Sequence, residues 1–346
     1  MSAPLRVVIR AAAGPRIGYG HLVRARTLAK ALRAQVQVSV RGTNQARSVA
    51  RRLRLPLLSD SAWRSERAAP PDLVVIDDPN ERCAAAALAR ARRWGTPVAS
   101  VHDLGRAAVS SDLLIDGSIV SPLDRGSRPS CKGPLYALLD PQVHVRRAAR
   151  QQSATCNLSR PSFFIALGGG PRAELAAALA RAIAEQCPAA TVRVAGGFSS
   201  GPIPSTEARR AALRQRASRI TWIGPRASLI GELEACDVAV VAGGVTLYEA
   251  CALGTPAVSV AVVPAQMATI TGFARAGAVL VGGRARRAPH ARRRLALRIA
   301  GLAVRLIADP AQRTALSRRG RLIVDGRGAW RVARALRSLV RGERHS

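Results

Sequence analysis

The first part of the chain alternates short apolar runs with segments of helical spacing. The apolar runs predict buried strands, and they lie at Leu5–Ile9, Val36–Val40, Leu73–Ile76, Val98–Val101 and Leu113–Ile115. Between them, apolar residues recur three and four positions apart, as in Leu22–Leu32 and Ala84–Trp94, which predicts helices. Continuous apolar strands separated by helices are typical of a parallel, doubly wound α/β sheet.

The same alternation begins again near residue 162, after a polar stretch with no strand pattern at 145–161. The later strands are predicted at Phe163–Leu167, Val192–Ala195, Ile220–Ile223, Val238–Val241 and Ala257–Val262. We therefore predict a first domain at 1–145, a linker at 146–161, a second domain at 162–325, and a C-terminal helix and tail at 326–346. Ligands of such sheets bind beyond the carboxyl ends of the strands.

Charge points to anionic partners. The chain has 54 basic and 21 acidic residues, for a net charge of +33, which favours phosphates, nucleic acids or anionic lipids. Aromatic residues make up only 3% of the chain, too few for a surface on which single-stranded nucleic acid stacks, and we expect no nucleic-acid partner. Arginines are dense at 284–298, where a solvated helix face is the ordinary explanation and an anionic acceptor or a membrane surface is the alternative.

The cysteines and the N-terminus suggest a cytoplasmic protein. None of the six cysteines lies in a C-x-x-C pair or at zinc-ligand spacing from a histidine, so they are expected to be small buried residues in a reducing compartment. The N-terminus lacks a long apolar segment, so no signal peptide is expected. The richest apolar stretch, at 238–263, is interrupted by glycines, Glu249 and Pro256, and does not suit a membrane-spanning helix.

The first candidate site is Gly18-Tyr19-Gly20-His21, between the first predicted strand and the first helix. Gly18 and Gly20 let a ligand approach the backbone closely. His21 would stand at a helix N-terminus, where the dipole disfavours a charged ring and leaves a neutral imidazole able to take a proton. Such a group suits a general base acting on water or a hydroxyl group, although a capping or packing histidine would show the same spacing.

The second candidate site follows the strand Val238–Val241 and begins with the glycine pair Gly243 and Gly244. Free amides at the helix start, including those of Val245 and Thr246, would bind a diphosphate with help from the helix dipole. Glu249, one turn further on, could accept hydrogen bonds from two ribose hydroxyls. A tight turn between strand and helix with a solvated Glu249 is the alternative.

Further residues near strand ends complete the predicted site. The backbone of Ile223 could pair with the edge of a pyrimidine, although an ordinary strand end would look the same. Gln266 could reach a sugar hydroxyl or a phosphate. The other candidates would contact the substrate from glycine loops or from the first domain's strand ends: Gly168, Gly169, Asp77, Asp78, His102 and Asp103. Asp116 fits a helix cap better than a ligand site.

These segments together resemble the PseG/SpsG-type nucleotide-sugar hydrolases, which release UDP from UDP-2,4-diacetamido-2,4,6-trideoxy-β-L-altrose. The matching segments are IGYGHLVRARTLAKAL, SDLLIDGSI, GPLYALLDPQV, FFIALGGGP, VVAGGVTLYEACALGTPAV and LIVDGRGAWRVARAL. The resemblance implies a GT-B fold, related to the peptidoglycan transferase MurG, in which two Rossmann-like doubly wound domains face each other across a cleft. It also implies a UDP-sugar substrate and no metal or other cofactor.

The resemblance assigns roles to individual residues. His21 would activate a water that attacks the anomeric carbon with inversion. The amides of Val245 and Thr246 would stabilise the departing diphosphate. Glu249 would hold the ribose, and the Ile223 backbone would hold the uracil.

The chain departs from the family pattern around the expected sugar pocket. The family's V-D-H-Y segment appears as Ile76-Asp77-Asp78-Pro79, so a histidine and a tyrosine are missing, and Gly168-Gly169-Gly170-Pro171 replaces a Gly-Gly-Ser/Thr-Asp loop. Since the nucleotide side is kept, we predict a UDP-sugar hydrolase with a changed sugar. The alternatives are a GT-B glycosyltransferase that moves a sugar to a small-molecule or lipid acceptor, and a non-catalytic nucleotide-sugar-binding protein.

Overall fold

The computed structural model describes residues 4–14, 17–65, 69–102, 109–121, 130–153, 159–168, 172–198, 219–286 and 288–342. The chain forms two compact units. Unit 1 consists of 1–141 and 326–346, and unit 2 consists of 142–325. Within the described residues, no helix has both the length and the apolar character needed to cross a membrane.

Unit 1 is built on a seven-stranded sheet in the order β3-β2-β1-β4-β5-β6-β7, and all neighbouring strands are parallel. The strands are β1 (Arg6–Ala13), β2 (Gln35–Gly42), β3 (Leu57–Leu58), β4 (Leu73–Asp77), β5 (Val98–Val101), β6 (Leu113–Asp116) and β7 (Ser130–Lys132). The connecting helices are α1 (Gly20–Leu32), α2 (Asn44–Arg52), α3 (Asp60–Arg64) and α4 (Glu81–Arg93), and a 3₁₀ turn follows at Pro134–Tyr136.

The strand order of unit 1 reverses at β1. The chain passes from β1 to β2 and β3 on one side and then returns to β4 on the other side, so that Ala11 of β1 pairs with both Val40 and Asp77. Such a reversal opens a crevice beyond the carboxyl ends of the two central strands. In unit 1 this crevice lies at the ends of β1 and β4.

Unit 2 repeats this plan with a six-stranded parallel sheet in the order β10-β9-β8-β11-β12-β13, which reverses at β8. Its strands are β8 (Ser162–Ala166), β9 (Thr191–Ala195), β10 (Ile220–Ile223), β11 (Val238–Ala242), β12 (Ala257–Ala261) and β13 (Leu280–Arg284). Its helices are α5 (Gln142–Ser153), α6 (Ala173–Gln186), α7 (Ile230–Ala235), α8 (Val245–Leu253), α9 (Gln266–Arg275), α10 (Pro289–Ala308) and α11 (Pro310–Ile323). The strands β8, β11 and β12 are buried along almost their whole length, and burial on both faces explains their continuous apolar sequences.

The last helix, α12 (Gly328–Arg341), returns to unit 1 and packs against α1 and the 3₁₀ turn. A side chain at Gly328 would overlap the backbone of Ala137, so only glycine lets the two segments come this close. Arg337 donates a hydrogen bond to the carbonyl of Leu32 at the end of α1. The C-terminal segment therefore belongs to the same compact unit as the N-terminus.

The structure confirms the predicted parallel, doubly wound sheets. The division between the units differs from the predicted one, since it falls after Pro141 and the helix α5 occupies the first part of the predicted linker. The segment 142–153 is polar because much of a surface helix faces water, and this weakened its helical pattern. Short or irregular elements such as β3, α3 and β7 gave no periodic signal and were missed.

Candidate active site

His21 lies in the first turn of α1, beyond the carboxyl end of β1. Gly18 shapes the loop between them: its φ is +92°, and its N–H donates to the Gly14 carbonyl over 2.7 Å. This conformation favours glycine. A side chain at Gly20 would meet open space, so the backbone at this point is accessible. The His21 side chain itself is 12% exposed.

The His21 ring contacts a buried carboxylate at the end of the neighbouring strand. Its Nδ1 lies 2.7 Å from Oδ1 of Asp77, the last residue of β4. Arg24 forms a bidentate ion pair with the same carboxylate, in which Nε donates to Oδ2 over 2.9 Å and Nη2 donates to Oδ1 over 2.8 Å. Arg24 lies three positions after His21, and this spacing puts both residues on one face of α1. The side chain of Asp77 is only 3% exposed.

The charges around Asp77 keep it ionised. Burial alone would raise the pKa of Asp77, but the positive charge of Arg24 and the contact with His21 outweigh burial and hold that pKa well below its usual range. An ionised carboxylate can only accept hydrogen bonds. Oδ1 of Asp77 therefore favours a proton on Nδ1 of His21, whereas Nη2 of Arg24, which lies 2.8 Å from the same Nδ1 and can only donate, favours a lone pair there. In the tautomer with the proton on Nδ1, Nε2 of the neutral ring carries the lone pair.

Asp78, the next residue, binds a different arginine. Arg41, near the end of β2, donates from Nε to Oδ2 over 2.5 Å and from Nη2 to Oδ1 over 2.6 Å. This bidentate contact raises the pKa of Arg41. The N–H of Asn80 also donates to Oδ1 of Asp78, over 2.9 Å. The two adjacent carboxylates therefore each have an arginine partner.

His102 follows β5 and is 3% exposed. Its Nε2 lies 2.7 Å from the hydroxyl of Ser100, which lies 2.5 Å from the hydroxyl of Ser111. Ser111 donates its proton to the carbonyl of Leu113 over 3.0 Å. Ser100 must therefore donate to Ser111, and Nε2 of His102 must donate to Ser100, so this chain fixes the tautomer of His102. Asp103 lies outside the described residues.

In unit 2, the start of α8 presents free backbone amides beyond the end of β11. Leu247 donates to the Gly244 carbonyl over 2.9 Å, whereas the N–H groups of Val245 and Thr246 have no acceptor within the described part of the chain. Gly244 is the N-cap residue and provides no side-chain cap. Such amides at a helix N-terminus form an anion-binding site.

Gln266 at the start of α9 borders this helix end. Its Oε1 accepts hydrogen bonds from the N–H groups of Val262, over 2.9 Å, and Val263, over 3.4 Å. Its Nε2 is thereby turned to the other side, 3.9 Å from where a Cβ on Gly244 would lie. Arg172 reaches the same sheet edge, where Nη2 is 3.5 Å from the carbonyl of Val262.

The remaining predicted residues of unit 2 lie near the carboxyl end of its sheet. Glu249 is in the second turn of α8 and is 7% exposed. Gly168, just after β8, has a φ of +93°. The carbonyl of Ile223, at the end of β10, accepts a hydrogen bond from Gly196 over 2.8 Å. Gly169 lies outside the described residues.

Sequence analysis missed Arg24 and Arg41, which hold the two carboxylates. Arg24 had one usable signal, its position three residues after His21 on a predicted helix. Arg41 had none, because its contact with Asp78 depends on the pairing of strands that are distant in sequence. The carboxylates of Asp77 and Asp78 contact arginines and, for Asp77, also His21, and their binding of substrate stays a prediction.

Comparisons with known proteins agree with this architecture. No protein-family model matches the chain. The chain is 28% identical over 243 residues to the spore coat polysaccharide biosynthesis protein SpsG of Bacillus subtilis (strain 168), an alignment that covers 69% of this chain and 68% of that protein.

Solved structures of several other proteins are similar over nearly the whole chain. The S. aureus MnaA–UDP co-structure has a TM-score of 0.64 at 12% identity and covers 97% of both chains. The Acinetobacter baumannii MurG structure has a TM-score of 0.60 at 17% identity, covering 96% of this chain and 99% of that one. The spinosyn rhamnosyltransferase SpnG, complexed with spinosyn aglycone, has a TM-score of 0.62 at 15% identity, covering 97% of this chain and 100% of that one. With its two parallel-sheet α/β units, the chain has a GT-B fold.

Proposed function

We propose that the chain is a nucleotide-sugar-processing enzyme that hydrolyses a UDP-sugar at its anomeric C–O bond. The observation that carries this proposal is the contact between His21 and Asp77 at the point where the strand order of unit 1 reverses. In the tautomer that we propose, Nδ1 donates to the buried carboxylate of Asp77 and Nε2 is the proton acceptor, which is the arrangement of a general base.

In the proposed reaction, Nε2 of His21 takes a proton from water. The water oxygen forms a bond to the anomeric carbon from the face opposite the nucleotide, and the C–O bond to the diphosphate breaks. UDP leaves with the bonding electron pair, and the free sugar has the inverted configuration. Asp77 stabilises the imidazolium that forms, as the carboxylate of a catalytic triad does.

Arg24 acts through Asp77. Its forked contact holds both carboxylate oxygens, so Oδ1 stays directed at Nδ1 of His21. Arg24 is therefore proposed as a positioning residue. Arg24→Lys keeps the charge and loses the fork, so we expect kcat to fall with little change in KM, whereas Arg24→Met should cost more.

The nucleotide is proposed to bind unit 2. The free amides of Val245 and Thr246 suit the diphosphate, and their positive helix end stabilises its charge as the bond breaks. Gln266 and Arg172 lie beside this helix end and would add an amide donor and a positive charge. Glu249 is proposed to hold the ribose, and the backbone at Ile223 the uracil.

The comparisons support a nucleotide-sugar substrate. MnaA was solved with UDP, and SpsG is named for polysaccharide biosynthesis. The second candidate function is glycosyl transfer, because SpnG is a rhamnosyltransferase with the same fold. In that case Nε2 of His21 would take its proton from an acceptor hydroxyl or amine instead of water.

Two measurements separate these functions. UDP release is measured for a panel of UDP-sugars without an acceptor, and thermal stabilisation by UDP, ADP, GDP and CDP is measured in parallel. Hydrolysis requires UDP release without acceptor, and its loss in His21→Ala but not in the control His290→Ala, since His290 lies on an exposed helix start. UDP release only with an added acceptor would instead establish a transferase. UDP binding without release in either condition would establish a binding protein.

A further inference from the structure

One face of α10 in unit 2 is exposed and cationic. Its exposed side chains recur three and four positions apart, which places them along one stripe of the helix. We call this stripe the α10 face; it consists of His290, Arg293, Arg294, Leu297, Arg298 and Arg305. Leu297, in the middle of the stripe, is 40% exposed.

Residues 284–321, which include α10, have a larger excess of basic over acidic residues than the chain as a whole. Residues 284–321 contain twelve arginines and one acid, Asp309, whereas the whole chain has 54 basic and 21 acidic residues. The α10 sequence contains no acid. The compositional bias of the chain therefore does not by itself explain the α10 face.

The arginines of the α10 face also differ from many others in lacking partners. Among the residues that the structure describes, Arg293, Arg294 and Arg298 make no ion pair and no hydrogen bond. Exposed arginines elsewhere are often paired, as Arg92 is with Asp112 and Arg193 with Glu232. A row of unpaired cations repels itself, and an anionic surface would relieve that repulsion.

A groove runs beside this face, between α6 and α10, with a volume of about 440 Å³. Its walls include several alanines of α6 together with Ala296 and Leu297 of α10, and Arg181, Glu185 and Arg293 also line it. The ion pair between Glu174 and Arg292 also borders it. Three arginines and two glutamates line the groove besides its apolar walls, so its net positive charge suits a molecule that has both an anionic group and an apolar part.

We propose that the α10 face docks on an anionic lipid bilayer. The arginines would bind lipid phosphates, while Leu297 and the groove would contact the boundary between headgroups and acyl chains. Nucleic acid is the other large polyanion, but it would leave the exposed Leu297 and the alanine-lined groove uncovered. Residues 284–321 also contain no aromatic residue on which a base could stack. This proposal does not depend on the identity of the sugar or of the nucleophile.

The test compares two triple variants of equal charge. Arg293→Glu, Arg294→Glu and Arg298→Glu change the α10 face, and Arg52→Glu, Arg82→Glu and Arg93→Glu change exposed arginines of unit 1. Each set lowers the net charge from +33 to +27. Cosedimentation is measured with phosphatidylglycerol–phosphatidylcholine vesicles and with pure phosphatidylcholine vesicles at 0.15 M salt, and DNA binding is measured by fluorescence anisotropy. Circular dichroism and thermal unfolding check that both variants fold.

We expect the wild type and the unit 1 variant to bind the anionic vesicles, and the α10 variant to lose at least about tenfold, since each basic residue near such a surface contributes a factor of about five. Equal loss in both variants would show that net charge alone is responsible and would overturn the proposal. Equal binding to neutral vesicles would also overturn it. So would a selective loss of DNA binding with vesicle binding unchanged, because the face would then serve nucleic acid.

Discussion

Nδ1 of His21 lies 2.7 Å from Oδ1 of Asp77, although 56 residues separate them in the chain. The contact forms because β1 and β4 are neighbours and run parallel, so that the segments following both strands meet at one edge of the sheet. This pairing turns a histidine at a helix start into an oriented dyad.

Replacing Asp77 by Asn should reduce catalysis more than binding. The asparagine side chain is neutral, so it no longer holds the Nδ1–H group of His21 as the carboxylate does. The imidazole ring then loses its tautomer and its orientation, and kcat should fall about a hundredfold to ten-thousandfold. KM should change little, because Asp77 faces His21 and Arg24. UDP release kinetics measure both constants. The exposed Asp72→Asn serves as control, and an equal effect of both substitutions would contradict the dyad.

The ionised Asp77 also predicts a pH dependence of stability. Its pKa is lowered in the folded protein, so it stabilises the fold above the unfolded-state pKa of about 3.9, and this contribution is lost as the pH falls towards the lower folded-state pKa. The free energy of unfolding of the wild type should therefore fall more steeply below about pH 4 than that of Asp77→Asn. Urea titrations between pH 3 and pH 7 measure this difference. Parallel curves for the two proteins would contradict the assignment.

Val245→Pro tests the free amides without removing a side chain that binds. Proline is well tolerated at the first position of a helix, and the preceding Gly244 has an extended conformation (φ −118°, ψ −157°) that suits a residue before proline. The variant loses one N–H donor to the diphosphate, so UDP affinity should fall about tenfold to a hundredfold. Isothermal titration with UDP measures the loss. Val245→Ala keeps the amide and should bind normally; if both variants bind UDP equally well, the amide is not a ligand.

Gly243→Ala should destabilise unit 2 and weaken UDP binding. A Cβ at this position would lie 2.8 Å from Cγ1 of Ile270 and 3.0 Å from Cβ of Gln266, so α9 would have to move away from the start of α8. Such overpacking typically costs about 1–3 kcal/mol. Gly231→Ala is the matched control, because its Cβ would meet open space on the exposed side of α7. Urea unfolding compares the free energies of unfolding of the two variants. Equal values would contradict the prediction, because they would show that Ile270 and Gln266 make room for the added methyl group at little cost.

The local sequence pattern was sufficient for most of the fold. Continuous apolar runs such as Leu73–Ile76 identify strands that are buried on both faces, and the glycine loops identify where helices begin. The same pattern could not show that α12 packs on unit 1 or that the unit boundary falls before α5. Those results depend on which surfaces are buried against each other, and periodicity along one segment does not contain that information.

The candidate site divides in the same way. The sequence by itself determined that His21 stands near a helix start and that glycines precede Val245 and Thr246, because these are properties of adjacent residues. Only the tertiary structure decided that Asp77 contacts His21 and Arg24. The same is true of the ion pair between Arg41 and Asp78. These contacts depend on strand order and on the direction of each side chain, which are settled when distant segments pack into one sheet.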